Sequence, residues 1–256
     1  MSTILKPAEA EARYRAPALD KGLDILELLS REPGGLTRAE LVKAMGRSPG
    51  EVYRMLERLV ARDYVARSPE GDRYALTMKL FVLAHRHPPV RRLVAQAQPL
   101  MDGFARETGQ SCHLAVADRD AALVVAQASG PGAWEFGIRI GASLDLVATG
   151  SGQTLLAFLE PELRDDLVRR WEGAERQAAF AAVEAELAIH RRSGYRVAES
   201  RQVRGVEDIS VPVLAPGGHA LAVLTCPYVH RLDGPHAAIA ATLTLLRGVA
   251  ERLSLA

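Results

Sequence analysis

Apolar side chains recur at helical spacing in the stretch RSPGEVYRMLERL, residues 47–59, and at the residue that follows it. Their spacing of i, i+3, i+4, i+7 and i+8 places them in one stripe of an α-helix, and they are Val52, Met55, Leu56, Leu59 and Val60. Ser48, Pro49 and Glu51 have the identities of an N-cap, a first helical residue and the third residue of a capping box. The pattern predicts a capped helix from Ser48 to Val60, with its charged residues facing outward.

Two further helices are predicted before this one. Four leucines between residues 19 and 29 have the spacing of one buried face, and the pattern stops at the sequence Glu-Pro-Gly-Gly. Thr37 and Glu40 form a second capping box, and Gly46 ends that helix. Residues 18–62 are therefore predicted to form three helices, the last two joined by a short turn.

A β-hairpin is predicted next. Two short runs of alternating apolar and polar residues, 64–68 and 73–77, flank a turn that contains glycine. Three helices followed by a hairpin is the order of a winged helix-turn-helix, whose third helix enters the major groove of DNA. The N-terminal part is therefore predicted to bind a double-stranded DNA operator.

The pattern changes beyond the proline pair at 88–89, which cannot continue a preceding helix. We expect a flexible tail at 1–17, the winged domain at 18–78 and a linker helix at 79–89. Residues 90–256 contain strand-like runs and helical stretches, which predict an α+β domain with an antiparallel sheet flanked by helices.

Composition and charge restrict the function further. The net charge is +1; residues 1–90 carry 15 Lys and Arg against 12 Asp and Glu, and residues 91–256 carry 17 against 19. DNA binding would therefore depend on arginines grouped on one face and doubled by dimerisation. The sequence has no apolar run of about 18 residues and no signal peptide, so we expect a cytoplasmic protein without membrane attachment. Cys112 and Cys226 lack the spacing of a zinc or redox site.

The whole chain resembles the IclR family of bacterial transcription regulators, in the segments ALDKGLDILELL (18–29), PGGLTRAEL (33–41), EVYRMLERLVARDYV (51–65), GDRYALT (71–77), ETGQSCHLAV (107–116), ATGSGQTLLAFL (148–159), Gly194-Tyr195 and GVEDISVPV (205–213). The resemblance implies a winged helix-turn-helix, a linker helix that dimerises, and an effector domain with a GAF-like or profilin-like sheet. It also implies a homodimer or homotetramer that responds to a small organic acid or an aromatic catabolite.

Polar residues of the predicted helix-turn-helix and hairpin are the candidates for DNA contact. Arg54 and Arg58 lie one turn apart on the outer face of the third helix, where they could contact guanine edges or phosphates, or instead pair with Glu51 or Glu57. The carboxylate of Glu51 could accept from cytosine, but the capping box competes for it. The candidate set is Thr37, Arg38, Arg47, Ser48, Glu51, Tyr53, Arg54, Arg58 and Arg73, with Arg67 as a second candidate on the wing.

Residues 148–156, ATGSGQTLL, place hydroxyls and glycines directly before a helix, where free N–H groups and the helix dipole favour an anion. A carboxylate-bearing effector would fit there, and nearby apolar residues form either a pocket wall or ordinary core. The candidates from this stretch and from the resemblance are Trp134, Phe136, Leu146, Thr149, Gly150, Ser151, Asp208, Ser210 and Thr225.

Two positions depart from the pattern of the family. Asp208 stands where relatives carry a cysteine, and Thr225 and Pro227 stand where they carry two small hydroxyl residues. A carboxylate at 208 would repel a bare keto acid and would favour a hydroxy acid or sugar acid with a donor group. Alternatively, Asp208 pairs with an arginine such as Arg204 and leaves the pocket unaffected.

The sequence contains no motif of a catalytic or metal site. Cys112 and His113 are neighbours on a predicted strand and point to opposite faces, and the sequence at 150–152 is not a nucleophile elbow. We therefore expect a ligand-responsive transcription regulator of catabolic genes, without enzyme activity, cofactor or metal. The alternative is a metabolite-processing enzyme fused to a DNA-binding domain.

Overall fold

The computed structural model describes residues 16–85, 88–132, 135–231 and 237–254. The chain divides into two compact units, Met1–His87 and Pro88–Ala256, and each is described by itself. Most of the expected tail and the candidate Trp134 lie outside the described residues.

The first unit is a winged helix-turn-helix, as predicted. Its elements are α1 (Pro17–Leu29), β1 (Leu36–Thr37), α2 (Arg38–Met45), α3 (Pro49–Ala61), β2 (Val65–Arg67), β3 (Arg73–Leu76) and α4 (Lys79–His85). The hairpin pairs β2 with β3, and β1 pairs with the other edge of β3 in an antiparallel sheet. The pattern did not predict β1, because a strand of two residues has no measurable periodicity.

Both predicted capping boxes are present. The backbone N–H of Glu40 donates to Thr37 Oγ1 over 3.2 Å, and the hydroxyl of Ser48 donates to the Glu51 carboxylate over 2.8 Å. Gly46 ends α2 with a left-handed φ of 59°. The helices enclose a small core formed by Ile25, Leu29, Leu41, Val52, Leu56, Val65 and Tyr74. The apolar stripe of α3 therefore positions that helix and leaves its opposite face exposed.

The second unit is built on one antiparallel sheet with the strand order β6-β5-β4-β9-β8-β7. Its elements are α5 (Pro88–Thr108), β4 (Cys112–Asp118), β5 (Ala121–Ala128), β6 (Ser143–Asp145), α6 (Gly150–Phe158), α7 (Pro161–Arg170), α8 (Ala174–Ser193), β7 (Arg196–Glu199), β8 (Val206–Leu214), β9 (Ala220–Val229) and α9 (Ile239–Ser254). Helices α5 and α9 contribute to one core cluster, and α6, α7 and α8 contribute to another. Among the helices that the structure describes, none is long and apolar enough to cross a membrane.

The start of α6 lies against other parts of the second unit. A Cβ atom on Gly152 would lie 2.4 Å from the backbone of Asp145 and Leu146, and one on Gly150 would lie 2.8 Å from the Cβ of Asp208. Residues with side chains do not fit at these two positions. The two glycines of the ATGSGQTLL stretch are therefore required for close packing.

We expect Gly152→Ala to destabilise the second unit by about 1–3 kcal/mol, because the new methyl group would force the backbone of residues 145–146 to shift. Gly248→Ala is the matched control: it lies in α9 with no heavy atom within 4 Å, and should stabilise the helix by about 0.5–1 kcal/mol. Urea unfolding followed by tryptophan fluorescence measures both variants. Equal unfolding free energies for the two would contradict the packing argument.

Candidate functional site

The outer face of α3 carries two arginines that have no charged partner among the described residues. Arg54 and Arg58 are exposed, and no hydrogen bond or ion pair joins their side chains to other described residues. The alternative pairing with Glu51 or Glu57 is not observed. Glu51 instead contacts the ammonium of Lys21, which lies on α1.

Glu51 has a structural role. The ammonium of Lys21, followed by the hydroxyl and N–H of Ser48, lowers the pKa of this carboxyl to about 2. Its oxygens therefore join α3 to α1 and cap α3 at the same time. Because Lys21 and Ser48 already bind the Glu51 oxygens, the carboxylate is poorly placed to accept a hydrogen bond from cytosine, as the capping box had suggested.

A groove of about 610 Å³ separates α2 and the start of α3 from the hairpin. Arg38 and Tyr53 both line it, and the guanidinium carbon of Arg38 lies 5.5 Å from the centre of the Tyr53 ring. The two arginines of the hairpin, unlike Arg54 and Arg58, are held by hydrogen bonds to backbone carbonyls. Arg67 donates to the carbonyl of Gly71, and Arg73 donates to the carbonyl of Gly35 over 2.9 Å.

A cavity of about 290 Å³ lies in the second unit beside the start of α6. Of the candidate effector residues, six line it: Phe136, Thr149, Gly150, Ser151, Asp208 and Thr225. Leu146 is not in the lining, and its side chain is fully buried in the core that α6 shares with α7 and α8, which is the second of the two alternatives for this residue. Ser210 is not in the lining, and its hydroxyl lies 2.9 Å from that of Thr225.

A chain of buried hydrogen bonds runs along the cavity wall. The Ser151 hydroxyl donates to Thr225 Oγ1 over 2.8 Å, and His113 Nε2 lies 2.9 Å from Ser151 Oγ. Because Ser151 has already donated its proton to Thr225, His113 is the donor and carries its hydrogen on Nε2. Burial lowers the pKa of His113 to about 4, so the ring is neutral at physiological pH.

Asp208 on β8 pairs with an arginine, but with a different one from that expected. Its Oδ2 lies 3.9 Å from Nη1 of Arg196, at the start of β7, whereas Arg204 is exposed. Burial raises the pKa of Asp208, and Arg196, the Ser200 hydroxyl and the N–H of Gly150 act in the opposite direction. Asp208 is therefore both a cavity residue and a member of an ion pair.

Sequence reasoning missed His113, Asp145 and Arg196. His113 alternates with apolar neighbours on β4, which marks it as a buried polar residue, but its contact with Ser151 depends on how α6 packs on the sheet. The Arg196 side chain is only 2% exposed. A buried arginine needs a partner, although only the pairing of β7 with β8 identifies it as Asp208.

Ser151 and His113 are a hydroxyl and an imidazole in contact, yet their arrangement differs from a nucleophile and its base. The serine donates to Thr225 rather than to the imidazole, and Nδ1 of His113 has no hydrogen-bond partner among the described residues. Among the residues that the structure describes, no group of three or more His, Cys, Asp or Glu side chains could hold a metal ion.

Both units match profiles of one protein family. The profile of the bacterial transcriptional regulator IclR C-terminal domain matches residues 89–255, and the profile of the IclR helix-turn-helix domain matches residues 18–69. The chain belongs to the IclR family. It is a DNA-binding transcriptional regulator of the IclR type, and its relatives are transcriptional regulators rather than enzymes.

Relatives of known name and solved structures agree with this assignment. The regulator KdgR of Escherichia coli K12 is 30% identical, over 81% of this chain and 80% of its own length. XynR of the same organism is 28% identical, over 81% and 84%. An IclR homologue of Microbacterium hydrocarbonoxydans, solved in complex with 4-hydroxybenzoate, has a TM-score of 0.75 at 24% identity, over 93% of this chain and 98% of that one. This likeness supports the IclR fold.

His113 should make the second unit sensitive to acid. Burial holds its pKa in the folded protein at about 4, below the ordinary histidine value of 6.5, so on acidification the unfolded chain takes up a proton that the folded protein excludes. The stabilisation is complete above the unfolded pKa and is lost as the pH falls, by about 2 kcal/mol between about pH 7 and about pH 5. Both tryptophans lie in residues 88–256, so urea unfolding followed by tryptophan fluorescence reports on this unit.

His113→Gln should remove most of this pH dependence, even if it lowers stability at neutral pH. His230→Gln, which changes a side chain that is 59% exposed, is the control and should retain it. An equal dependence on pH in wild type and His113→Gln would show that another group is responsible.

Proposed function

We propose that this IclR-type regulator reads its operator through the outer face of α3. The observation that carries the proposal is the pair Arg54 and Arg58, exposed and unpaired on a helix that its own caps and apolar stripe hold in place. Arginine is the residue best suited to bidentate contact with guanine. Arg38 and Tyr53 line the groove, and Arg47 and Ser48 directly precede α3. The proposal assigns these four residues contacts to the phosphate backbone.

The proposal assigns effector binding to the 290 Å³ cavity of the second unit. Phe136 supplies an apolar surface, and the Ser151 and Thr225 hydroxyls supply polar groups, which is the usual composition of a small-molecule site. By the resemblance, the ligand would be a metabolite of the catabolic pathway under control. The Microbacterium relative was solved with 4-hydroxybenzoate, whereas the Asp208 carboxylate opposes an acid group in this cavity.

We further propose that the chain acts as a homo-oligomer. The apolar residues Leu80, Phe81, Val82 and Leu83 of α4 are 38–53% exposed, which is unusual for four consecutive positions of a short helix. A second copy of the chain would cover them, and two reading helices would then recognise a partly palindromic operator. The effector would act by shifting the population of conformations that bind DNA.

Replacing both Arg54 and Arg58 by alanine should weaken operator binding. The expected loss of binding free energy is about 1–3 kcal/mol for each side chain that contacts a base. The loss of a side chain that contacts phosphate should instead reduce the dependence of the binding constant on salt concentration. Fluorescence anisotropy on a duplex selected from a random pool by the wild-type protein measures both quantities. Arg31→Ala, at an exposed arginine beyond the end of α1, is the control. Unchanged binding by a folded double variant would refute α3 as the reading helix.

Leu80→Glu combined with Leu83→Glu should shift the protein toward the monomer, because two charges would replace apolar surface at the proposed contact. Light scattering coupled to size-exclusion chromatography measures the mass. Leu163→Glu changes an apolar residue of α7 that is 55% exposed, and should leave the mass unaltered. A monomeric wild-type protein at micromolar concentration would contradict the proposal.

A further inference from the structure

The charged side chains in the cavity lining are all acidic. Asp145 and Asp208 are the acidic residues of the lining, and no lysine or arginine is among the lining residues that the structure describes. The Asp145 carboxylate accepts from the N–H groups of Val147 and Ala148 and lies 3.7 Å from Nη2 of Arg176, which is outside the lining. His113, the remaining titratable lining residue, is buried and neutral at physiological pH. A ligand that enters the cavity therefore meets negative charge without a cationic side chain to receive an acid group.

The arginine that pairs with Asp208 does not offer a ligand in the cavity a positive charge. Arg196 is 2% exposed, its Nη1 atom is fully buried, and its Nε donates to Gln153 Oε1 over 3.0 Å. It lies behind the cavity wall and is absent from the lining. Its charge favours the ionised form of Asp208, while a ligand in the cavity contacts the carboxylate before it can reach the guanidinium.

The helix N-terminus that was expected to hold an effector carboxylate is already partly occupied. The N–H of Gly150 interacts with the Asp208 carboxylate, and the N–H of Gly152 donates to Thr149 Oγ1 over 3.0 Å. The next N–H, that of Gln153, donates to the carbonyl of Thr149 over 2.9 Å. Asp208 therefore supplies negative charge that the dipole of α6 favours, and an effector acid that approached the Ser151 N–H of the same turn would lie beside the Asp208 carboxylate.

We propose that the effector is a neutral or cationic molecule that presents a hydroxyl or ammonium donor to Asp208 and carries no carboxylate. The Asp208 carboxylate accepts this donor, the chain from His113 to Thr225 fixes further polar groups, and Phe136 covers an apolar part of the ligand. Asp208 thus determines specificity by charge. This inference rests on the proposed role of the cavity as the effector site.

Two matched series of probes test the inference on the full-length protein. The first is D-gluconate, D-sorbitol and D-glucamine, and the second is 4-hydroxybenzoate, 4-hydroxybenzyl alcohol and 4-hydroxybenzylamine. Within each series only the acid, alcohol or amine group changes. In at least one series, isothermal titration calorimetry should find the alcohol or amine bound at least about tenfold more tightly than the acid, because the acid meets Asp208 at close range.

Asp208→Asn should narrow this difference, because the amide no longer repels an acid or attracts an amine. Asp118→Asn is the matched control at an exposed aspartate on β4 outside the cavity, and it should leave the order unchanged. If Asp208→Asn does not fold, the wild-type series still decides the matter. Tightest binding by an acid, no binding by any alcohol or amine, or an unaltered order in folded Asp208→Asn would each overturn the inference.

Operator binding measured on the same preparations separates this inference from the proposed function. If an acid binds most tightly and also changes operator affinity, the regulatory role of the cavity is retained and only the chemical class is wrong. If a probe binds in the cavity and operator affinity does not respond, the preference for donor groups can hold while the proposed effector role fails.

Discussion

The ion pair of Arg196 and Asp208 determines how the effector domain is assembled around its cavity. It joins the first residue of β7 to β8, and both side chains lie against Gly150 at the start of α6. Removing one partner of a buried pair leaves an uncompensated charge at a cost of about 3–5 kcal/mol. The pair thereby positions the start of α6, and that position brings Ser151 to His113.

The same arrangement of charges appears at the N-termini of α3 and α6. At α3, the chain's own Glu51 lies at the helix N-terminus, and at α6 its own Asp208 takes that place. In each case a basic partner from another element, Lys21 or Arg196, holds the carboxylate. The consequences differ. At α3 the arrangement leaves the outer arginines unpaired, whereas at α6 it places a negative charge in the cavity wall.

The polar chain from His113 to Ser210 explains how a cavity can be polar without being reactive. The imidazole donates to Ser151, the Ser151 hydroxyl donates to Thr225, and the Thr225 hydroxyl lies 2.9 Å from that of Ser210. The imidazole stays neutral because burial disfavours its charged form. The wall can orient a ligand through hydrogen bonds of defined direction. It offers no base to Ser151, which agrees with the regulatory function of the family.

Local sequence patterns determined much of the fold of the N-terminal unit. The capping boxes, the apolar stripe of α3 and the alternation in the hairpin each involve residues a few positions apart, so the sequence alone predicted the winged domain and a helix that begins in the glycine-containing stretch 148–156. Tertiary structure decided which residues form the proposed effector cavity. Asp208 pairs with Arg196 rather than with Arg204, His113 lies in the cavity wall, and Leu146 is buried in the core. These contacts join residues far apart in the sequence, and the register of the strands and the packing of α6 on the sheet, rather than local periodicity, decide which of them meet.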